Sequence, residues 1–152
     1  MTPTHDPAVA SFEDLAAMPG HLIRRAQQVH TALFAKECGR LDLTSVQFAA
    51  LHAIRASGEL DATRLAEQIA FDRSTIGDVI ERLEAKGWIT RAGARHDRRV
   101  KLVSLTADGE ALLRLAEPAV ARVQARLLER FTASQRKTLM ALLEQLSRLP
   151  TD

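Results

Sequence analysis

Apolar side chains recur at helical spacing along most of the chain and change to strand-like runs in one place. Ile76, Val79, Ile80 and Leu83 fall at i, i+3, i+4 and i+7, which makes one buried stripe. Phe71 and Ile76 flank Asp72 as a hydrophobic staple, so the pattern predicts a helix capped by Asp72. The Asp72 carboxylate suits the free N–H groups of a first turn and the positive end of the helix dipole. Lys86 in the last turn and Gly87 just beyond it form a stop signal. Upstream, Leu60 and Leu65 staple around Asp61, and Leu65, Ala66 and Ile69 predict a shorter helix from Ala62 to Ala70. A very short turn near Phe71 and Asp72 then joins the two. Two short capped helices so joined are a helix-turn-helix pattern, whose second helix is built to enter a DNA major groove.

The period changes after Gly87. Trp88-Ile89-Thr90-Arg91 reads as a strand and Val100 to Leu105 as its partner, with the loop Ala92 to Arg99 between them. The remaining segments are helical. One helix follows Gly20 with Leu22, Ile23, Ala26, Val29, His30, Leu33 and Phe34, and ends before Gly39. Thr44-Ser45-Val46-Gln47 is a capping box opening a helix with Phe48, Leu51 and Ile54, closed by Gly58. Thr106 caps a long helix carrying Leu112, Ala116, Ala119, Val120, Val123 and Leu127, in which Pro118 is expected to introduce a bend. A second capping box, Thr132 to Gln135, opens a last helix with Leu139, Leu142, Leu143, Leu146 and Leu149. No internal repeat or low-complexity segment stands out.

Charge sharpens the reading of the hairpin. From Arg91 to Lys101 there are five basic residues and one acid, while the whole 152-residue chain carries a net charge of only +2. Local cationic focusing of this kind matters more to phosphate binding than the total. The polar face of the second helix carries Arg73, Ser74, Thr75, Gly77, Asp78 and Arg82, short side chains near its start with basic groups at the ends. Such a face fits against base edges; it also fits plain solvation. A winged-helix interaction module that does not bind DNA is the rival reading. It has no need of Arg95, Arg98, Arg99 and Lys101 beside a helix start of small residues.

Two motifs carry a resemblance. Asp97, Arg99, Val103, Leu105, Thr106 and Gly109 match the pattern D-x-R-x-x-x-V-x-L-T-x-x-G, and Leu83, Gly87, Ile89 and Arg91 match L-x-x-x-G-x-I-x-R. Over roughly residues 20–150 the chain resembles the MarR family of transcriptional regulators. The resemblance implies that Arg99 is a wing-tip arginine entering the minor groove and that Asp97 orients it by a charge-assisted hydrogen bond. Trp88 stands where that family often has an aliphatic residue and is read as core packing at the hairpin base. The expected fold is mainly α (α+β): a winged helix-turn-helix with a helical dimerisation lobe, about six helices and a two- to three-stranded wing. The expected layout is one domain over 1–152, with a DNA-binding lobe at 41–105 and a helical lobe from 11–40 and 106–150.

The terminal helices need a partner, because residues 41–105 offer little surface to cover both of them. A homodimer is the economical solution. The resemblance implies the same, with the first, fifth and sixth helices interlocked and two recognition helices meeting half-sites of a pseudo-palindromic double-stranded operator. It also implies a small-molecule effector, a phenolic or aromatic acid, and the sequence carries matching residue types. His21, Arg24 and Gln28 share one helix face at i, i+3 and i+7, and His52 lies beside Phe48 on the next helix. Arginine with histidine in a partly apolar crevice suits a small carboxylate. Surface ion pairs and a satisfied core histidine are the plainer account of the same residues. The regulator is expected to be a repressor released by its ligand.

Other classes find less support. Cys38, the single cysteine, offers a redox-sensing alternative, but it sits near a helix C-terminus beside Glu37, and both disfavour the thiolate. The five histidines lack ligand spacing, so no metal or cofactor is expected. No nucleophile motif, phosphate loop or H-E-x-x-H points to an enzyme. Aromatics make up only 4% of the chain and tyrosine is absent, which argues against a stacking face for RNA. No apolar run approaches 18 residues, so no transmembrane helix is expected. Met1 to Ala10 lacks the features of a signal peptide and is expected to be a frayed arm, placing the protein in the cytoplasm.

Overall fold

A computed structural model describes residues 12–151; the N-terminal arm expected at 1–10 lies outside the described residues. The helices are α1 (Phe12–Ala17), α2 (Pro19–Cys38), α3 (Ser45–Ser57), α4 (Ala62–Gln68), α5 (Ile76–Ala85), α6 (Ala107–Leu128) and α7 (Ala133–Ser147). Three strands, β1 (Glu59–Asp61), β2 (Ile89–Gly93) and β3 (Lys101–Leu105), form an antiparallel sheet in the order β1-β3-β2. This is the winged helix-turn-helix with a helical lobe. The short α1 and the strand β1 are additions to the sequence reading.

Local chemistry places the element ends. The Thr44 hydroxyl accepts from the Gln47 N–H while Gln47 Oε1 accepts from the Thr44 N–H, each at 3.2 Å. The same reciprocal box at Thr132 and Gln135 opens α7. Asp61 caps α4 by accepting from the Arg64 N–H at 2.8 Å. These bonds satisfy donors that a helix start leaves without partners. The long α6 runs through Pro118 without ending.

The core joins both parts of the molecule. Leu51 and Ile54 of α3, Leu65 of α4, Leu83 of α5, Ile89 and Val103 of the sheet, and Leu113 and Val123 of α6 are all fully buried in one cluster. Val103 is the pivot of the sheet, opposite Leu60 in one neighbour and Arg91 in the other. The apolar stripe expected on α7 exists but faces outward. Met140, Leu142, Leu143, Leu146 and Leu149 are exposed, as are Leu22, Ile23 and Val29 on α2.

The helix-turn-helix corner differs from its sequence reading. Helix α4 stops at Gln68, before Ala70, which adopts the left-handed conformation at φ 51°. Helix α5 starts at Ile76, so the connection spans residues 69–75 and Arg73, Ser74 and Thr75 lie in it. The cause is the Asp72 side chain, which turns onto the Ser74 N–H at 2.9 Å, two residues ahead. An aspartate turn of this kind competes with helix initiation. The Asp72 carbonyl then accepts from both the Thr75 and Ile76 N–H groups, a tight turn leading into the helix. The hairpin differs by smaller shifts: β2 extends to Gly93, and Val100 belongs to the loop.

Candidate DNA interface

The recognition helix and the wing are tied together at their bases. Arg91 on β2 makes a two-pronged contact with Glu84 on α5, Nε to Oε2 at 3.1 Å and an Nη to Oε1 at 2.9 Å. This hydrogen bonding holds the Glu84 carboxyl below, and the Arg91 guanidinium above, its ordinary range. Arg91, part of the hairpin's apparent positive charge, is therefore neutralised by Glu84. It stands opposite Val103 in the sheet.

The wing tip is a small preformed hook. Arg99 is 92% exposed, yet its guanidinium donates to both oxygens of Asp97, Nε to Oδ1 at 3.1 Å and an Nη to Oδ2 at 3.3 Å. The Arg99 N–H also donates to Asp97 Oδ1, at 3.0 Å. Arg99, mainly through its side chain, holds the Asp97 carboxyl below the usual range, so the hook persists into mild acid and is lost only as pH falls through that lowered value. Beside it, Gly93, Ala94, Arg95, Arg98 and Lys101 line a concavity of about 430 Å³. Gly93 permits this fold-back, since a Cβ there would lie 3.1 Å from the Arg98 backbone.

Every basic residue picked out in the sequence for this face lies at the surface. Arg73, Ser74, Thr75, Asp78, Arg82, Arg95, Arg98, Arg99 and Lys101 are exposed, and Asp97 is half-buried beneath Arg99. Arg73 is engaged by Glu67 of α4 at 2.5 Å, a pairing the sequence did not reveal. Lys86 is a second long-range tie that was read only as a helix-end charge. Its ammonium reaches the Asp42 carboxylate at 3.1 Å and Gln47 Oε1 at 3.3 Å, and lies 4.6 Å from the Trp88 ring centre. Trp88 itself packs partly buried against the core, as its position at the hairpin base suggested.

The residues considered for an effector fall into two groups. On α2, Arg24 donates to His21 Nδ1 at 3.3 Å. Arginine has no acceptor, so His21 Nδ1 accepts and Nε2 carries the hydrogen. That Nε2 is buried and has no partner among the described residues. On α3, His52 stacks on Phe48 with ring centres 5.8 Å apart, and Phe48 leans on Phe34 at 6.3 Å. Gln28 is exposed on α2. Cys38 is fully buried, and burial together with adjacent Glu37 pushes its thiol up, away from the reactive thiolate. No group of three metal-binding side chains occurs among the described residues, and none of their helices is long and apolar enough to cross a membrane.

A basic, hooked wing braced to an exposed recognition helix is the architecture of a DNA-binding transcriptional regulator. Similarity to known proteins narrows this class. Residues 43–101 match the model of the MarR family. The chain is 32% identical over 145 residues to the HTH-type transcriptional repressor NicR of Pseudomonas putida, covering 95% of this chain and 92% of that one. It also superposes on BpsR of Bordetella bronchiseptica, solved in a study of how 6-hydroxynicotinic acid regulates that protein's DNA binding. That match has a TM-score of 0.85 and 32% identity, covering 89% of this chain and 96% of that one. A variant of Escherichia coli MarR complexed with operator DNA matches with a TM-score of 0.83 and 28% identity, covering 92% and 99%. The chain belongs to the MarR family of transcriptional regulators.

Proposed function

We propose that the protein is a homodimeric repressor that binds a pseudo-palindromic operator and is released by a small aromatic acid. The observation that carries the DNA reading is the Asp97–Arg99 hook, an exposed guanidinium already held in position at the tip of a cationic hairpin. Residues 41–105 are the reading lobe. Arg73, Ser74, Thr75, Asp78 and Arg82 face the major groove, with Arg95, Arg98 and Lys101 on the phosphates beside the hook. Footprinting on genomic DNA with the purified protein tests this, and protection of paired half-sites about one helical turn apart is the expected result. Lys101→Ala weakens binding nearly equally on all sequences and flattens the salt dependence by about one phosphate per subunit. Anisotropy titrations at several salt concentrations measure this; an unchanged slope removes Lys101 from the interface.

The dimer rests on surface that a single chain leaves uncovered. Leu142, Leu143 and Leu146 on α7 and Leu149 just beyond it are between 44% and 61% exposed, and Leu22 and Ile23 on α2 are about as open. Exposed apolar faces of this kind suit an interface, and because these side chains are already about half covered, burying each adds roughly 1 kcal/mol. Light scattering at micromolar concentration is expected to give twice the chain mass. Leu142→Glu combined with Leu146→Glu yields a monomer with little operator affinity.

The effector is supported by His21. An N–H buried without an acceptor costs about 1–3 kcal/mol, and a carboxylate oxygen would satisfy it. Arg24 and Gln28 share its helix, and Phe48 and His52 supply an aromatic surface on α3. Binding that favours one spacing of the two recognition helices shifts the population away from the DNA-bound form. The study of BpsR with 6-hydroxynicotinic acid makes aromatic acids the first panel to test by calorimetry. His21→Ala and Arg24→Ala are expected to lose the heat of binding; retention in both rejects this site.

A further inference from the structure

The reading surface carries an acid where phosphates are expected. Glu67 stands at the end of α4, the first helix of the helix-turn-helix, and in this motif the first helix crosses the DNA backbone. A carboxylate there opposes both the phosphates and the negative end of its own helix dipole. Helix α4 has no basic residue in its last turn to offset it. The cation comes instead from Arg73, in the connection to α5, whose Nη donates to Glu67 Oε1 at 2.5 Å.

The connection presents Arg73 to Glu67. Ala70 adopts the left-handed conformation, and the Phe71 N–H returns to the Ala66 carbonyl at 2.9 Å, which turns the chain back at the end of α4. The nearer acid, Asp72, is engaged by the Ser74 N–H at 2.9 Å, so Glu67 is the acceptor left for Arg73. The two side chains are 58% and 67% exposed, so their pairing adds little to stability. Glu67 takes a single N–H of Arg73, and the other edge of the planar guanidinium keeps two parallel donors free.

An arginine held in this way distinguishes its DNA partners. A phosphate offers a guanidinium the same pair of oxygens as a carboxylate does. Random DNA therefore gains Arg73 only by displacing Glu67, whose charge then lies uncompensated beside the backbone. A guanine in the major groove offers O6 and N7 to two parallel N–H donors, and the free edge supplies them with Glu67 still in place. We propose that Glu67 is a specificity-determining residue: it withholds Arg73 from phosphates and turns it to a guanine in each half-site. This role rests on the DNA-reading part of the proposed function and adds which base Arg73 selects and what enforces the choice. Glu67 weakens binding to other sequences more than to the operator, so it raises discrimination while lowering total affinity.

The experiment compares wild type, Glu67→Gln, Arg73→Ala and the double variant by anisotropy at several salt concentrations. The probes are the duplex recovered by footprinting and a scrambled duplex of the same composition. Thermal unfolding by circular dichroism checks that each variant folds. Glu67→Gln is expected to bind the scrambled duplex about three- to fivefold tighter, the strength of one exposed ion pair, with a salt slope steeper by about 0.9 per subunit. Its affinity for the operator changes by less than about twofold, so the ratio between the two falls. In the Arg73→Ala background, Glu67→Gln brings no such gain. Half-site guanines are also replaced one at a time by 7-deazaguanine, which lacks the N7 acceptor. At a position in each half-site this weakens wild type and leaves Arg73→Ala indifferent. An unchanged operator-to-scrambled ratio in Glu67→Gln overturns the role of Glu67 while the DNA reading stands. Equal gain with and without Arg73 overturns it too, since Glu67 then acts by its charge alone. So does the lack of any guanine whose N7 matters only when Arg73 is present. If the wild type protects no DNA, the DNA reading fails and the role of Glu67 fails with it.

Discussion

Arg99→Ala is expected to weaken operator binding by roughly 1–3 kcal/mol, and most on operators with a narrow A·T-rich minor groove where the wing lands. The reason is preorganisation. A fully exposed arginine ordinarily pays up to about 2 kcal/mol in lost rotamer freedom when it docks. Here Asp97 has restricted that freedom beforehand through two hydrogen bonds from the guanidinium, with a third from the Arg99 backbone N–H. Arg99→Lys is therefore not a rescue, because an ammonium cannot reproduce the two-pronged contact with Asp97. Asp97→Asn gives a smaller loss in the same direction, since it keeps an acceptor for the Arg99 N–H but relaxes the guanidinium. Anisotropy titrations on A·T-rich and G·C-rich versions of the operator separate these effects. Equal affinity of Arg99→Ala and wild type on both would remove the wing from the reading of DNA.

Gly109→Ala is expected to destabilise the fold by about 3 kcal/mol or more, the upper range for overpacking. A Cβ on Gly109 would lie 2.1 Å from the Trp88 carbonyl oxygen and 3.3 Å from the Leu105 side chain. The first of these is backbone, so nothing flexible can move aside. Relief requires the start of α6 to separate from the hairpin base, which would also stretch the bond from the Thr106 N–H to the Trp88 carbonyl, now 3.1 Å. For a chain of this size the loss corresponds to a fall in melting temperature of roughly 6–12 °C. Calorimetric unfolding measures it, and a shift under about 2 °C would show that the helix start accommodates a methyl group.

What the sequence made legible, and what it hid, divides by distance along the chain. The caps at Thr44, Asp61, Thr106 and Thr132 were readable because each bond spans three residues. The Asp97–Arg99 hook spans two, and the family resemblance pointed to it. The same locality misled at Asp72, where a turn onto Ser74 and a helix cap ask for the same residue types, and only the left-handed Ala70 and the packing of Phe71 decide between them. The ties that orient the site, Arg91 to Glu84 and Lys86 to Asp42, join elements whose relative placement comes from the core. No periodicity encodes such pairs. Gly109 was visible as a motif position, but its cause, a carbonyl passing within contact of its α-carbon, belongs to the folded chain alone.

The Thr106 hydroxyl accepts from the Gly109 N–H at 3.0 Å and donates to the Gly87 carbonyl at 2.6 Å. One oxygen thus closes both the end of α5 and the beginning of α6. Amide protons there should exchange with solvent as a single cooperative unit, because neither helix terminus opens without exposing the other. Thr106→Ser would leave their protection nearly intact, and Thr106→Val would lower it on both sides at once. Recognition helix, wing and the first turns of α6 are then expected to travel as one piece, so in the proposed dimer a change in the separation of two such readers would bend farther along α6 or α2.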